Sequence, residues 1–99
     1  SALTADASEK ERLMLTILYF ASVKEKAGCG EETVRLPAAV SDVMGLVVWL
    51  RQRGGGPAAA LTDLAAVRVA VNQEHARFDH PLTGDEEVAF FPPVTGGAP

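Results

Sequence analysis

Cysteine is almost missing from this chain. Cys29 stands alone among 99 residues, which excludes an internal disulfide framework and a multi-cysteine metal site. Histidine is nearly as scarce. His75 and His80 are the two present, and a metal centre needs further ligands that no cysteine or third histidine supplies. Positive charge is short as well: 9 Lys and Arg stand against 13 Asp and Glu, a formal net charge of −4. Phosphate recognition needs clustered cations, so nucleic acid is not an expected partner. The acidic balance suits a basic protein partner instead. No apolar run has the length that crossing a membrane requires, and residues 1–12 lack a signal-peptide pattern. A cytoplasmic protein without membrane or nucleic-acid partners is the expectation.

What the chain does have is enough apolar material for one core. A hydrophobic fraction of 47% over this length fits a single domain that folds without staples. Residues 1–12 are small and charged, and the chain does not begin with Met. They read as a flexible extension set apart from the fold, with the domain at 13–91 and a flexible tail at 92–99.

Residues 13–20 are rich in β-formers and nearly all apolar, a strand. Ala21 onward has helical propensity up to Ala27, and Gly28 is a stop signal. Gly28-Cys29-Gly30 is a turn. Residues 32–36 alternate polar and apolar, a second, antiparallel strand ended by Pro37. Ser41 is the expected N-cap of a helix over 41–53, with Asp42 in its first turn. Val43, Leu46, Val47 and Leu50 share one face of it, and Trp49 is assigned to the core. Gly45 weakens this helix, so a close backbone contact is expected there. Gly54-Gly55-Gly56-Pro57 reads as a flexible loop, and without a following lysine-serine pair it is not a phosphate loop. A short helical turn is expected within 57–64. Residues 67–71 form a third strand with Val67, Val69 and Val71 on one face. Asn72-Gln73-Glu74 is a turn in which Asn tolerates left-handed backbone. Residues 75–78 suit a short edge strand, 81–85 a tight loop, and 87–91 the final strand. Strands, helix and strands in this order predict an α+β fold, with a helix crossing one face of a mixed sheet. The first and last strands are the most apolar and should be central and adjacent.

None of these elements carries a catalytic constellation. Cys29 lacks the neighbouring base or helix N-terminus that a nucleophilic thiol needs, and reads as an incidental loop residue. His75 and His80 read as surface residues. Asp85-Glu86-Glu87 are adjacent along the chain, whereas glycosidic acid–base work needs two carboxylates across a cleft. They read as a solvated acidic patch, suited to a basic partner.

The peculiar feature is the end. After the apolar strand come Pro92-Pro93, which lack the ladder N–H and force the chain out of the sheet. Val94-Thr95-Gly96-Gly97 follows. The six residues 92–97 can span at most roughly 20 Å, and paired glycines make such an arm thin enough for a narrow cleft. A disordered terminus is the plain reading; a tail inserted into another protein's active site is the functional one.

Leu15-Thr16-Ile17-Leu18-Tyr19-Phe20-Ala21, the short helix after it, Val69-Ala70-Val71-Asn72, and the run from Gly84-Asp85-Glu86-Glu87 through Phe90-Phe91-Pro92-Pro93 to Gly96-Gly97 carry a resemblance. Over about residues 13–97 the chain resembles the small-subunit family of molybdopterin synthase, the MoaD-type sulfur carriers of the ThiS/MoaD ubiquitin-like group. The resemblance implies a β-grasp fold, with a mixed four- to five-stranded sheet covered by one main helix. It implies a sulfur carrier in molybdenum cofactor biosynthesis that binds no cofactor itself. An E1-like adenylating enzyme (MoeB-type) uses ATP to adenylate the terminal glycine, sulfur is installed as a thiocarboxylate, and the tail enters the large synthase subunit (MoaE-type). There the sulfur passes to cyclic pyranopterin monophosphate. The chain would thus be a non-catalytic small subunit of a sulfurtransferase. By the same resemblance Gly97 is the adenylation and thiocarboxylate site. Gly96, Thr95, Val94, Pro93 and Pro92 insert with it. Composition alone, not the resemblance, assigns Phe91 and neighbouring apolar residues to the docking surface.

One departure stands out. The family's chain ends at the second glycine, whereas Ala98 and Pro99 follow Gly97 here. Removal of Ala98-Pro99 by processing is the favoured expectation; a diverged carrier without sulfur transfer and an altered reading frame are the alternatives. Two other functions share the fold: a carrier for cysteine or thiamine biosynthesis, and a ubiquitin-like interaction module without thiocarboxylate chemistry.

Overall fold

The computed structural model describes residues 14–93. The chain runs β1 (Leu15–Tyr19), α1 (Ala21–Ala27), β2 (Glu31–Val34), α2 (Val43–Arg53), α3 (Gly55–Ala60), a 3-10 turn (Leu64–Ala66), β3 (Arg68–Val71), β4 (Glu74–Ala76) and β5 (Glu87–Phe91). The five strands form one sheet in the order β2-β1-β5-β3-β4. β1 and β5 are neighbours and parallel, Thr16 opposite Glu87 and Tyr19 opposite Phe90. The other pairings are antiparallel. This is the expected α+β, β-grasp arrangement, with the two most apolar strands side by side and β4 at an edge.

The core lies on one side of the sheet. Alternation along β1 sends Leu15, Ile17 and Tyr19 inward, and they meet Val69, Val88 and Phe90 in the buried cluster. α2 supplies Val43, Leu46, Val47 and Leu50, all at 0% exposure. Their i, i+3, i+4, i+7 spacing puts them on one stripe.

The start of α2 differs from the sequence expectation. Asp42, not Ser41, is the N-cap: its Oδ1 accepts from the Gly45 amide at 2.7 Å. The next two amides, of Val43 and Met44, donate to the carbonyls of His80 and Phe78. The helix-start donors are thus met by one carboxylate and a neighbouring loop. The close contact expected at Gly45 involves mainly side chains. A Cβ there would lie 3.1 Å from Asp42 Oδ1 and 3.4 Å from Val40 Cγ1.

The glycine run after α2 is not a flexible loop. Gly54 and Gly55 take φ of 83° and 82°, the left-handed region that glycine adopts without a Cβ penalty. They turn the chain directly into α3. Gly56 is needed for a different reason: a Cβ there would sit 1.9 Å from the carbonyl oxygen of Ala27, so α3 and α1 touch backbone to backbone. Pro57 is tolerated in the first turn of α3, where its missing N–H has no helical acceptor. Asn72 and Gln73, with φ of 51° and 70°, make the tight β3–β4 hairpin.

The acidic run also reads differently in three dimensions. Glu86 is buried at 8% exposure. Its carboxylate accepts from the amides of Thr83 at 2.7 Å and Gly84 at 2.8 Å and from the Thr83 hydroxyl at 2.9 Å. Burial opposes the charge, but these donors outweigh it and hold the carboxyl below its usual range. Glu86 closes the loop that feeds β5; of the three carboxylates only Asp85 is exposed.

Candidate functional site

Because β1 and β5 are parallel, they end at the same pole of the sheet. The Phe20 amide donates to the Phe90 carbonyl at 3.0 Å, joining the residue just after β1 to the next-to-last residue of β5. After Phe91, Pro92 and Pro93, both half-buried, carry the chain away from the ladder. The tail therefore departs from the centre of the sheet, beside the β1–α1 junction. Val94, Thr95, Gly96 and Gly97 lie outside the described residues, as do residues 1–13.

Among the described residues, the helices pack on the core side of the sheet and none covers the opposite side at this pole. The strand pairings place Leu18, Ala89, Ala70 and His75 in one row across it and Phe91 beside Arg68. Of these, Leu18, Ala70, Ala89 and Phe91 take no part in the buried cluster. Ala70 and Ala89, at 9% and 8% exposure, form a shallow floor. Phe20 continues the β1 alternation on the same side and is 48% exposed. It keeps extended backbone as the N-cap of α1 without a capping side chain, and Ala21 then turns the chain with a left-handed φ of 54°. His75 meets the Phe91 ring edge-on, 5.5 Å between centroids at 89°. Exposed Arg68 and half-buried Glu87 complete the rim. An apolar patch with a charged margin is the form that protein contact sites take.

A polar brace stands behind the pole. The Tyr19 hydroxyl donates to Glu32 Oε2 at 2.6 Å, and Arg53 donates to the same oxygen at 2.8 Å. Arg53 holds the Glu32 carboxyl below its ordinary range. Burial, with the bond to Glu32 adding to it, pushes the Tyr19 hydroxyl well above its own. Tyr19 also stacks on Phe90 at 6.1 Å. The brace ties β1, β2 and the end of α2 together under the strand from which the tail leaves.

Of the sequence-predicted site residues, the structure places Phe91, Pro92 and Pro93 together at this pole. Sequence reading missed Phe20, Leu18 and the floor alanines; the signal was strict alternation in β1, usable only once the covered face is known. Trp49, assigned to the core, is only partly buried against it. Cys29 is half-buried, and no group of three or more potential metal ligands occurs among the described residues. No helix among them is long and apolar enough to cross a membrane.

Residues 17–97 match the sequence model of the ThiS family. The molybdopterin synthase sulfur carrier subunit of Escherichia coli is 42% identical over 84 residues, covering 85% of this chain and all of that protein. Among solved structures, a molybdopterin converting factor subunit 1 from Pyrococcus furiosus superposes with a TM-score of 0.66 at 27% identity, covering 82% of this chain and 98% of the other. A chain from the complex of subunits 1 and 2 of the molybdopterin-converting factor of Helicobacter pylori shares the fold, with a TM-score of 0.56 at 23% identity and coverage of 85% and 99%.

Proposed function

The chain belongs to the ThiS family, and on that premise we propose that it is the sulfur carrier subunit of a molybdopterin synthase, with Gly97 as the sulfur-bearing end. The observation that carries this reading is the identity to a molybdopterin synthase sulfur carrier subunit over that protein's whole length. The tail exit supports it: Pro92-Pro93 stand at the end of a central strand beside an apolar face.

The chemistry divides between the arm and the body. A carboxylate is a poor acyl donor. Its oxygen attacks the α-phosphorus of ATP on an E1-like enzyme, pyrophosphate leaves, and a sulfide-level nucleophile then displaces AMP at the acyl carbon. The product is a thiocarboxylate. Gly97 has no free carboxyl while it is joined to Ala98, so the Gly97–Ala98 bond must be hydrolysed first. Glycine at 96 and 97 keeps the reacting end thin. The prolines stiffen the arm and lower the ordering cost of insertion.

The body supplies binding energy away from the reacting atom and so positions it. The open face, with Phe91, Phe20 and Leu18 around the alanine floor, docks on the large synthase subunit, and the tail passes from that contact into the subunit's active site. That the H. pylori neighbour is described in complex with its second subunit supports a large-subunit partner; the face is chosen for its exposed apolar residues. Sulfur then passes to cyclic pyranopterin monophosphate.

A reconstitution tests the reading. Chain ending at Gly97 and carrying a thiocarboxylate is mixed with the large subunit and the pyranopterin precursor. Formation of the dithiolene product is expected. Failure there, with sulfur delivered instead to a cysteine or thiazole synthase, would move the chain to another sulfur-carrier pathway.

A further inference from the structure

Glycines adjoin at two places in the chain, Gly54-Gly55-Gly56 and Gly96-Gly97. Sulfur transfer from Gly97 requires hydrolysis after the second. We propose that the Gly97–Ala98 bond is cut in one step by a separate, glycine-selective endopeptidase, releasing a peptide that begins Ala98-Pro99, and that the fold shields the first glycine run from the same enzyme. The proposal rests on Gly97 being the working end of the carrier.

The chemistry at residue 99 separates cutting from trimming. Removal of residues one at a time from the C-terminal side must break the Ala98–Pro99 bond. That bond is a tertiary amide, without an N–H and with φ fixed by the ring. A carboxypeptidase site shaped for a secondary amide does not seat it. Gly97–Ala98 is an ordinary secondary amide. Water adds to the Gly97 carbonyl carbon, the C–N bond breaks, and the Ala98 nitrogen leaves with a proton. A Gly97 carboxyl and an Ala98 amine result, and the step needs neither an oxidant nor a nucleotide.

Gly96 and Gly97 carry no Cβ, so a cleft narrow enough to fit them turns away most other sequences. Gly54-Gly55-Gly56 offers the same bare backbone and is protected twice. The bond after Gly56 leads to Pro57 and is again a tertiary amide. The run is also folded. Gly54 and Gly55 take φ of 83° and 82°, Gly55–Ala60 is helical, and a Cβ on Gly56 would sit 1.9 Å from the Ala27 carbonyl oxygen. An enzyme cleft receives its peptide extended, and this backbone is wound and pressed against α1. Gly97 lies four residues past Pro93, no more than roughly 14 Å of extended chain. The enzyme therefore works with its mouth against the folded body, which a narrow, carrier-fitted cleft permits.

The test follows the whole chain in cell extract of its native host, by intact mass and by the peptides released. Chain ending at Gly97 is expected together with a peptide that begins Ala98-Pro99, and chain ending at Ala98 is not. Ala98→Pro makes the scissile bond a tertiary amide, and Gly96→Ala puts a methyl into the narrow cleft; each is expected to slow cleavage about tenfold or more. Pro57→Ala removes one protection of the first run and keeps the other, so this variant, its fold checked by thermal unfolding, should still be cut after Gly97 alone. Chain ending at Ala98 ahead of chain ending at Gly97 overturns the single cut, as does an uncleaved wild type or Ala98→Pro cleaved at the wild-type rate. Gly96→Ala cleaved at that rate overturns the glycine selectivity. A cut after Gly56 in folded Pro57→Ala overturns the shielding by the fold. None of these readouts involves sulfur, so a clean cut without later thiocarboxylation would fault the sulfur-carrier reading and leave the cut standing.

Discussion

Replacing Phe20 by alanine separates the open face from the fold behind it. Phe20 is 48% exposed and lies outside the buried cluster, so it contributes little to the core. Taking roughly 200 Å² for a phenylalanine leaves about 100 Å² in water for a partner to cover. At about 25 cal/mol per Å² that area is worth about 2.5 kcal/mol, or roughly 60-fold in Kd. Alanine keeps part of the contact, so the expected loss is about 10- to 60-fold. Stability should move by no more than about 0.5 kcal/mol, as for other surface substitutions. Isothermal titration of the large synthase subunit with wild type and Phe20→Ala gives the first number, and urea unfolding of the free chain gives the second. Binding within twofold of wild type, with an unchanged unfolding midpoint, would refute the assignment of the open face as the docking surface. A large fall in stability would instead show that Phe20 supports the core.

The fold and its charges give two further expectations. Gly56→Ala should destabilise by about 1–3 kcal/mol through overpacking, because the added Cβ would stand 1.9 Å from a backbone oxygen of α1; helix propensity alone predicts a gain of up to about 1 kcal/mol, so thermal unfolding decides by its sign. Glu32 and Glu86 are both held below the ordinary carboxylate range. A depressed folded pKa adds stability that is complete above the unfolded value of about 4.3 and is lost as pH falls from there through the folded values. Glu86→Gln should therefore lower the melting temperature at neutral pH and flatten its decline in acid; an unchanged acid slope would mean Glu86 does not supply that stability.

Much of the architecture was legible because neighbouring signals agreed. After Glu87 the residues of β5 are apolar, bounded by an acidic turn and two prolines, and its limits match the structure. The stripe from Val43 to Leu50 announced the buried face of α2, and Asn72 announced a left-handed turn. The misses share a cause: each depended on what lies across space. Glycines 54–56 look like slack chain until the Ala27 carbonyl is seen against Gly56. Ser41 and Asp42 are both capable caps, and the loop at Phe78 and His80 decides between them. Glu86 sits in a run of carboxylates, which suggests solvent, but the Thr83-Gly84 turn folds its amides around the side chain. β1 carries large apolar residues on both faces, with Thr16 its one polar residue, so the sequence does not say which of the two faces is covered. Phe20 consequently escaped notice, while Phe91 was singled out. At the site the tail was read from Pro92-Pro93 and Gly96-Gly97 by resemblance, whereas the face beside it needed the parallel register of β1 and β5.

The central claim is that sulfur rides on the carbonyl carbon of Gly97. Chain ending at Gly97 and the chain 1–99 should each be incubated with the activating enzyme, ATP and a sulfide source, then examined by intact mass and fragmentation. The account predicts that the Gly97-ended chain exchanges one oxygen for sulfur at Gly97, while the chain that retains Ala98-Pro99 is unchanged. An unmodified Gly97-ended chain would contradict it, as would sulfur added to Cys29 in place of an exchange at the tail.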